Sequence, residues 1–363
     1  MDITNNNYCI ILAGGRGRRL WPSSRQERPK QFIDFFGTGR TQLQATFDRI
    51  NRIVPREHVF VSTCREYEEV VREQLPEVLP THVLCEPVIR NTAPSVAWAS
   101  VCICRECSEA RVVILPSDQL VTDDDAFCRN VEDALRFVGE NDLLLTMGVG
   151  PSRPEPGYGY IQMGEASLSG NIFKVKSFTE KPEREFAQMF MSSGEFLWNT
   201  GMFLSNVRNL LSFFHQAISD MPHRLSSLLE MTDEEAMRTY VERYYPAYPN
   251  LSMDMAVLER SGSVYVMRCD FGWADLGTWH SVYEYERKEE GDNVVIDSEV
   301  LLEDCRNNVI KLPKGHVGVI NGLDGYIVAE EGDVLLICKK GDSSALIRKY
   351  VNEVGIRFGE SFT

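Results

Sequence analysis

The stretch YCIILAGGRGRRLWPSSRQERPKQF, from Tyr8 to Phe32, decides how the chain folds. It opens with a short apolar run, Tyr8 to Leu12, of the length and character of a strand buried in a sheet. Gly14, Gly15 and Gly17 follow at once. A dinucleotide fingerprint needs glycine at its first, third and sixth positions, and counting from Gly15 gives Gly15, Gly17 and Leu20, so that pattern fails. A Walker loop fails too, because no Gly-Lys-Ser/Thr follows. What remains is a glycine-dense turn after a strand, whose backbone N–H groups can wrap phosphates because no Cβ blocks their approach. Arg16, Arg18, Arg19, Arg25, Arg28 and Lys30 then face a single acid, Glu27. Pro22 and Pro29 keep this basic segment from becoming an ordinary helix. Its charges are thus held above the carboxyl end of the first strand, where open α/β sheets bind ligands. A triphosphate site is the sharper reading and a solvated basic loop the plainer one.

Working outward, short apolar runs alternate with amphipathic stretches. Strands are expected at Tyr8 to Leu12, His58 to Ser62, His82 to Cys85, Arg111 to Leu115 and Leu143 to Gly148, with helical patterns at Thr41 to Ile53, Arg65 to Gln74, Thr92 to Cys107 and Ala126 to Val138. Each helix is long enough for a crossover, which predicts an α/β doubly wound, Rossmann-like, mostly parallel sheet with helices on both faces. From Gly157 to about Val266 the texture is mixed. It holds strand-like YGYIQM and NIFKVKSF, a helix near Glu183 to Met191, the run Gly201 to Ser205 and a strand from Ser263 to Arg268. Beyond Glu286 come short β-branched runs at Asn293 to Ile296, Asn308 to Leu312, Val317 to Ile320, Tyr326 to Ala329 and Val334 to Cys338, separated by Gly, Asp and Asn turns. A short β-helix or a meander fits that spacing. The expected domains are therefore 1–285, catalytic, and 286–363, β-rich.

With 38 basic and 53 acidic side chains the chain carries a net charge of −15, and its overall field repels nucleic acids and anionic membrane surfaces. Met1 to Asn7 lacks a basic region and a long apolar run, and no window approaches the ~20 apolar residues of a membrane span. A cytosolic protein is expected. Ten scattered cysteines favour free thiols over a disulfide framework. Cys102, Cys104 and Cys107 lack the paired spacing of a structural zinc site and read as thiols packed along a helix. The aromatic stretch Tyr240 to Tyr248 reads as a packed inter-element loop.

Two aspartates end strand-like runs: Asp118, after RVVILPS, and Asp275, in FGWADLGTWHS. Each could be a helix cap. Equally, phosphate-bound Mg2+ needs only one or two protein carboxylates, completing its shell with phosphate oxygens and water. In CEPVIRNTAPSVA, Asn91 or Thr92 suits an N-cap, and in YGY, FTEKP and WNTGMF a carboxylate, an amide and a lysine offer the donors and acceptors a sugar pocket needs.

The Gly-rich segment with its Trp-Pro-Ser-Ser-Arg and Arg-Pro-Lys-Gln-Phe portions resembles the signature of sugar-nucleotide pyrophosphorylases, and among them the bacterial mannose-1-phosphate guanylyltransferases. The resemblance covers about residues 8 to 285 in family order and thins in the β-rich tail. Arg18 departs from the family pattern and receives no role. The resemblance implies that Arg19 and Lys30 are the catalytic, phosphate-binding pair, that Asp118 and Asp275 jointly hold a catalytic Mg2+, and that Leu12, Ala13, Gly14, Gly15 and Gly17 cradle the nucleotide. It places Glu86, Arg90 and Asn91 near the purine, Glu86 as an acceptor for guanine, and Gly159, Glu180, Lys181 and Asn199 around the sugar phosphate. The implied reaction joins GTP and mannose 1-phosphate into GDP-mannose and pyrophosphate. In relatives the tail packs against the catalytic domain or a second subunit, so a homodimer is expected. The tail is too short for an added isomerase domain, so a monofunctional enzyme is expected.

Overall fold

The first strand is β1 (Asn7–Leu12), and it lies at the centre of a parallel set with β2 (Val59–Cys64), β3 (Val83–Glu86) and β4 (Arg111–Pro116). The computed structural model describes residues 6–166, 170–217, 227–258, 264–288, 290–341 and 343–363. Residues 1–5 of the polar N-terminal stretch, and Ser263 of an expected strand, lie outside them. By internal contacts the chain forms two compact units, each discontinuous in sequence. The first comprises Met1–Gly14, Phe47–Ser117 and Val121–Trp273, and the second Gly15–Thr46, Asp118–Leu120 and Ala274–Thr363.

The first unit is built on a nine-stranded sheet in the order β3-β2-β1-β4-β9-β6-β10-β8-β7. The later strands are β6 (Leu144–Val149), β7 (Gly159–Ala166), β8 (Ile172–Glu180), β9 (Phe196–Asn206) and β10 (Val264–Cys269). β9 runs antiparallel between β4 and β6, and β10 is parallel to β6, so the sheet is mixed. Helices α1 (Gln42–Ile50), α2 (Glu68–Gln74), α3 (Thr92–Glu106) and α4 (Asp124–Glu140) connect the early strands, as their amphipathic patterns require. Alternate residues Tyr8, Ile10, Val112 and Ile114 pack with α3, while the intervening Cys9, Ile11 and Val113 are equally buried. Both faces are therefore covered. Helices α5 (Arg184–Ser193), α6 (Val207–Ala217) and α7 (Glu234–Tyr244) follow. The direction of winding reverses between β1 and β4, since β2 and β3 lie on one side of β1 and β4 on the other; that crevice is where open sheets place ligands.

In the second unit β12 (Val294–Ile296), β14 (Val309–Lys311) and β16 (Tyr326–Glu331) stack in parallel, as do β13 (Glu299–Glu303) and β15 (Val317–Asn321). Alternate strands thus feed two parallel ladders, a short β-helix and not a meander. A hairpin of β16 with β17 (Val334–Lys339) closes it. A buried asparagine ladder fixes the register. Asn293 Oδ1 accepts from the Asn308 backbone N–H at 3.1 Å, and Asn308 Oδ1 accepts from the Tyr326 N–H at 2.8 Å. The chain ends in a helix not expected in the β-rich part, α9 (Ser343–Phe358), whose apolar Ile347, Val351 and Val354 recur at helical spacing. Ile347 and Val351 are buried in the unit's core beside Leu20, Trp21, α8 (Trp279–Tyr285) and the inner faces of β12, β14 and β16. No helix among the described residues is long and apolar enough to cross a membrane.

Candidate active site

The second unit gathers the four residues expected to do chemistry. Two short strands, β5 (Gln119–Val121) and β11 (Trp273–Asp275), pair with each other, placing Asp118 just before one and Asp275 at the end of the other. Lys30, only 5% exposed, lies between them, its Nζ 2.8 Å from Asp118 Oδ2 and 3.5 Å from Asp275 Oδ1. Burial by itself would lower the Lys30 pKa, but the two carboxylates outweigh burial and the opposing Arg19 charge, and hold it above the ordinary lysine value. A methyl group at Gly277 would sit 2.9 Å from Arg19 Nη2 and 3.0 Å from Asp275 Oδ1, so both side chains approach the backbone where only a hydrogen fits.

The loop carrying Arg19 and Lys30 is held by its own unit. Gly17 has φ +58°, and a Cβ there would lie 2.9 Å from Ser24 Oγ and 3.1 Å from the Lys30 backbone nitrogen. Glycine is required there for conformation and for space. Gln31 Nε2 donates to Gly15 O at 2.7 Å. Trp279 Nε1 donates to Trp21 O at 3.0 Å, and Trp21 Nε1 donates in turn to Phe362 O at 2.8 Å. Arg25 reaches Glu331 O at 2.5 Å, Asp333 Oδ1 at 3.0 Å and Ser361 O at 3.4 Å. Arg18 donates to Gln26 Oε1 at 3.0 Å, away from the aspartates' ion pairs.

Asp118 and Asp275 are about one-third exposed and converge on one cation. Two hard oxygen donors of this kind fit the chemistry of Mg2+, which takes one or two protein carboxylates and completes its shell with other oxygens.

In the first unit, Leu12, Ala13 and Gly14 leave β1 stitched to β2: Ala13 N donates to Ser62 O at 2.8 Å and Thr63 Oγ1 to Ala13 O at 3.0 Å. Glu86 is 5% exposed, and both its oxygens are engaged. Oε1 accepts from Ser62 Oγ at 3.0 Å and Ser95 Oγ at 2.6 Å, and Oε2 accepts from Tyr245 Oη at 2.9 Å. Burial raises its pKa while the three hydroxyls pull the other way. Glu86 therefore ties β3, α3 and the Tyr245 turn together. Arg90 donates from Nε to Pro246 O at 3.0 Å, and Asn91, at φ +66°, caps α3 through Oδ1 to Thr92 N at 2.9 Å. The Tyr240 to Tyr248 stretch is packed, with Tyr245 and Tyr248 buried. Cys102, Cys104 and Cys107 pack partly buried against the core around α3.

On the β7–β8–β9 side, Gly159 pairs with Glu180 in register, and a Cβ at Gly159 would lie 2.8 Å from Glu180 Oε2. Lys181 Nζ contacts Glu180 Oε1. Asn199 Oδ1 accepts from Gly201 N at 3.1 Å, and Asn199 Nδ2 donates to Asp254 Oδ1 at 2.6 Å. Asp254 was not expected here; the sequence places it in SMDMAV, where nothing in its spacing marks it out.

The family model described as nucleotidyl transferase matches residues 8–291. A mannose-1-phosphate guanylyltransferase of Salmonella montevideo is 35% identical over 338 residues, 90% of this chain and 70% of that protein. One from Escherichia coli K12 is 33% identical over 358 residues, 96% and 73% of the two chains. A crystal structure from Thermus thermophilus, described as a mannose-1-phosphate geranyltransferase, superposes with a TM-score of 0.85 at 30% identity and covers 96% of this chain and 99% of its own. On a family model spanning most of its length and on relatives at least 30% identical that match 90% or more of it, the chain belongs to the nucleotidyl transferase family.

Proposed function

We propose that this enzyme is a guanylyltransferase that forms GDP-mannose and pyrophosphate from GTP and α-D-mannose 1-phosphate. The observation that carries the reading is the cluster of Arg19, Lys30, Asp118 and Asp275 in one unit, next in sequence to a glycine turn fit for phosphates. The relatives' names supply the choice of guanine and mannose. Attack is in line: an oxygen of the sugar phosphate, already ionised at neutral pH, bonds to the α-phosphorus while the bond to the pyrophosphate oxygen breaks, so no side-chain nucleophile is needed. Lys30, charged throughout the physiological range, offsets the repulsion between the two anionic reactants. Arg19 stabilises charge gathering on the α-phosphoryl and departing pyrophosphate. Asp118 and Asp275 would hold Mg2+, which when bound supplies Lewis-acid neutralisation of phosphate oxygens. Glu180, Lys181 and Asn199 orient the sugar phosphate. Guanine is read largely by backbone groups around the strand ends, since three of the roughly four acceptor sites of Glu86 are taken by protein hydroxyls.

The test is a pyrophosphate-release screen of GTP, ATP, UTP and dTTP against mannose, glucose, fucose and heptose 1-phosphates, with kcat/KM for each active pair. GTP with mannose 1-phosphate is expected to lead by at least about 10-fold, the discrimination that a lost buried hydrogen bond gives. Equal values for glucose and mannose, or a lead for UTP or dTTP, would overturn the GDP-mannose assignment. Turnover is expected to stop with EDTA and return with Mg2+ or Mn2+; activity that survives chelation would remove the metal from the scheme. Oligomer size by light scattering, where a homodimer is expected, completes the description.

A further inference from the structure

Asn199 cannot turn its amide over. Its Oδ1 faces a backbone N–H, that of Gly201, and its Nδ2 faces the Asp254 carboxylate, so a flip would set donor against donor and acceptor against acceptor. Asp254 is itself held by rigid neighbours. Leu251 N donates to Arg90 O at 3.2 Å, Ala93 N donates to Leu251 O at 3.0 Å, and Met253 N donates to Thr92 Oγ1 at 2.8 Å. The start of α3 thus anchors the short segment before Asp254, and the carboxylate is delivered from there to the amide on β9. Glu180 and Lys181 both exert charge on it. Three of the four residues expected around the sugar phosphate, Glu180, Lys181 and Asn199, therefore share one neighbour.

We propose that Asp254 is a sugar-reading residue: one oxygen locks Asn199, and the other accepts a hydrogen bond from a ring hydroxyl next to the one that Asn199 meets. This inference rests on the sugar-phosphate assignment above and deepens it. A locked amide N–H and a carboxylate oxygen side by side suit two vicinal hydroxyls, one accepting and one donating. Only the ionised carboxylate serves as that acceptor. Its pKa is pushed up to about 6, chiefly by burial and further by the negative charge of Glu180, with the Asn199 hydrogen bond and the Lys181 charge pulling it down. Below that pH the acceptor is lost and sugar-phosphate capture weakens; above it capture is complete.

The experiment measures KM for the preferred sugar 1-phosphate and for the NTP, with kcat, from pH 5 to 8 in the wild type and in Asp254→Asn. The asparagine can still accept from Asn199 and changes little volume, and thermal melting checks that it folds. The sugar-phosphate KM is expected to rise about 10- to 100-fold with the NTP KM within about twofold, as loss of a buried polar contact predicts. The wild-type to variant ratio of kcat/KM should fall as pH drops through about 6. The substrate phosphate titrates in the same range, but identically for both enzymes, so it cancels in that ratio. Deoxy sugar 1-phosphates, assayed with the wild type, should show one hydroxyl whose removal reduces the loss below pH 6 to the part, due to the substrate phosphate, that Asp254→Asn also shows. Equal rises in both KM values, a flat ratio, or deoxy analogues that all keep the wild-type pH profile would overturn the role of Asp254. A wild type that turns over no sugar 1-phosphate with any NTP would instead overturn the function proposed above.

Discussion

At the residue scale, the groups that matter are those whose surroundings leave them one choice. Lys30 between Asp118 and Asp275 is such a group: Lys30→Met leaves two carboxylates facing each other without their cation, and kcat/KM is expected to drop by two orders of magnitude or more. A variant that keeps near wild-type turnover would take Lys30 out of the chemistry. Gly277→Ala tests the same cluster more gently. The added methyl meets the mobile ends of Arg19 and Asp275 and no backbone, so the melting temperature should barely move while kcat/KM falls about 10-fold or more, the scale on which small misplacements act. A large loss of stability with unaltered specific activity would count against that placement. Glu86 gives a pH-dependent case. Its folded pKa lies above the free value, so the native state binds the extra proton and this carboxyl's contribution to stability declines as pH rises through that window. Tyr245→Phe removes a donor, pushes that pKa further up, and should cost about 1–3 kcal/mol at neutral pH and less near pH 4.5. Denaturant unfolding at the two pH values reads this directly; an equal cost at both would show that the Glu86 charge is not what Tyr245 serves. The glycine turn and the basic run after β1 stand out in the sequence by themselves, whereas Arg19, Lys30, Asp118 and Asp275 are singled out there only by the resemblance; the fold sets those four in one unit. Asp254 was not legible, because its meaning comes from a hydrogen bond to a residue 55 positions away.

At the element scale, the alternating apolar runs of the first 150 residues yielded β1 to β4, β6 and α1 to α4 close to where they lie, since each buried strand and amphipathic helix announces itself by period. The β9 insertion between β4 and β6 could not be read that way, because pairing partners distant in sequence leave no trace in periodicity. Arg25 illustrates what element packing adds. It reads as one more phosphate-seeking arginine, yet its guanidinium joins the basic loop to the β16–β17 turn and to the Glu360–Phe362 turn. Arg25→Ala should therefore loosen the loop that carries Arg19 and Lys30, lowering kcat/KM about 10-fold, the scale of a small misplacement, whereas Asp333→Ala, which leaves the two carbonyl partners in place, should do much less. Comparable steady-state losses in the two variants would mean that the side-chain pair, not the bridging, is what counts.

At the scale of the whole molecule, none of the ten cysteines is in a disulfide; Cys9, Cys64, Cys128 and Cys269 are buried in the first unit and Cys305 and Cys338 in the second. Denaturation without reductant followed by alkylation should label all ten, and a thiol reductant should leave the melting temperature unchanged; fewer labels would reveal a covalent pairing. A cut at 285/286 follows the change of sequence texture, while the contacts assign Gly15–Thr46 to the unit that ends the chain. That assignment carries a consequence for synthesis. The segment bearing Arg19 and Lys30 is made well before the rest of its unit, which waits for Ala274 onward, roughly 10 to 50 seconds at elongation rates of about 5–20 residues per second. For that interval the nascent chain holds the parallel strands β1 to β4 with its most basic loop unfastened. A ribosome-bound chain stalled ahead of Ala274 should show that loop open to protease while β1 to β4 are already protected.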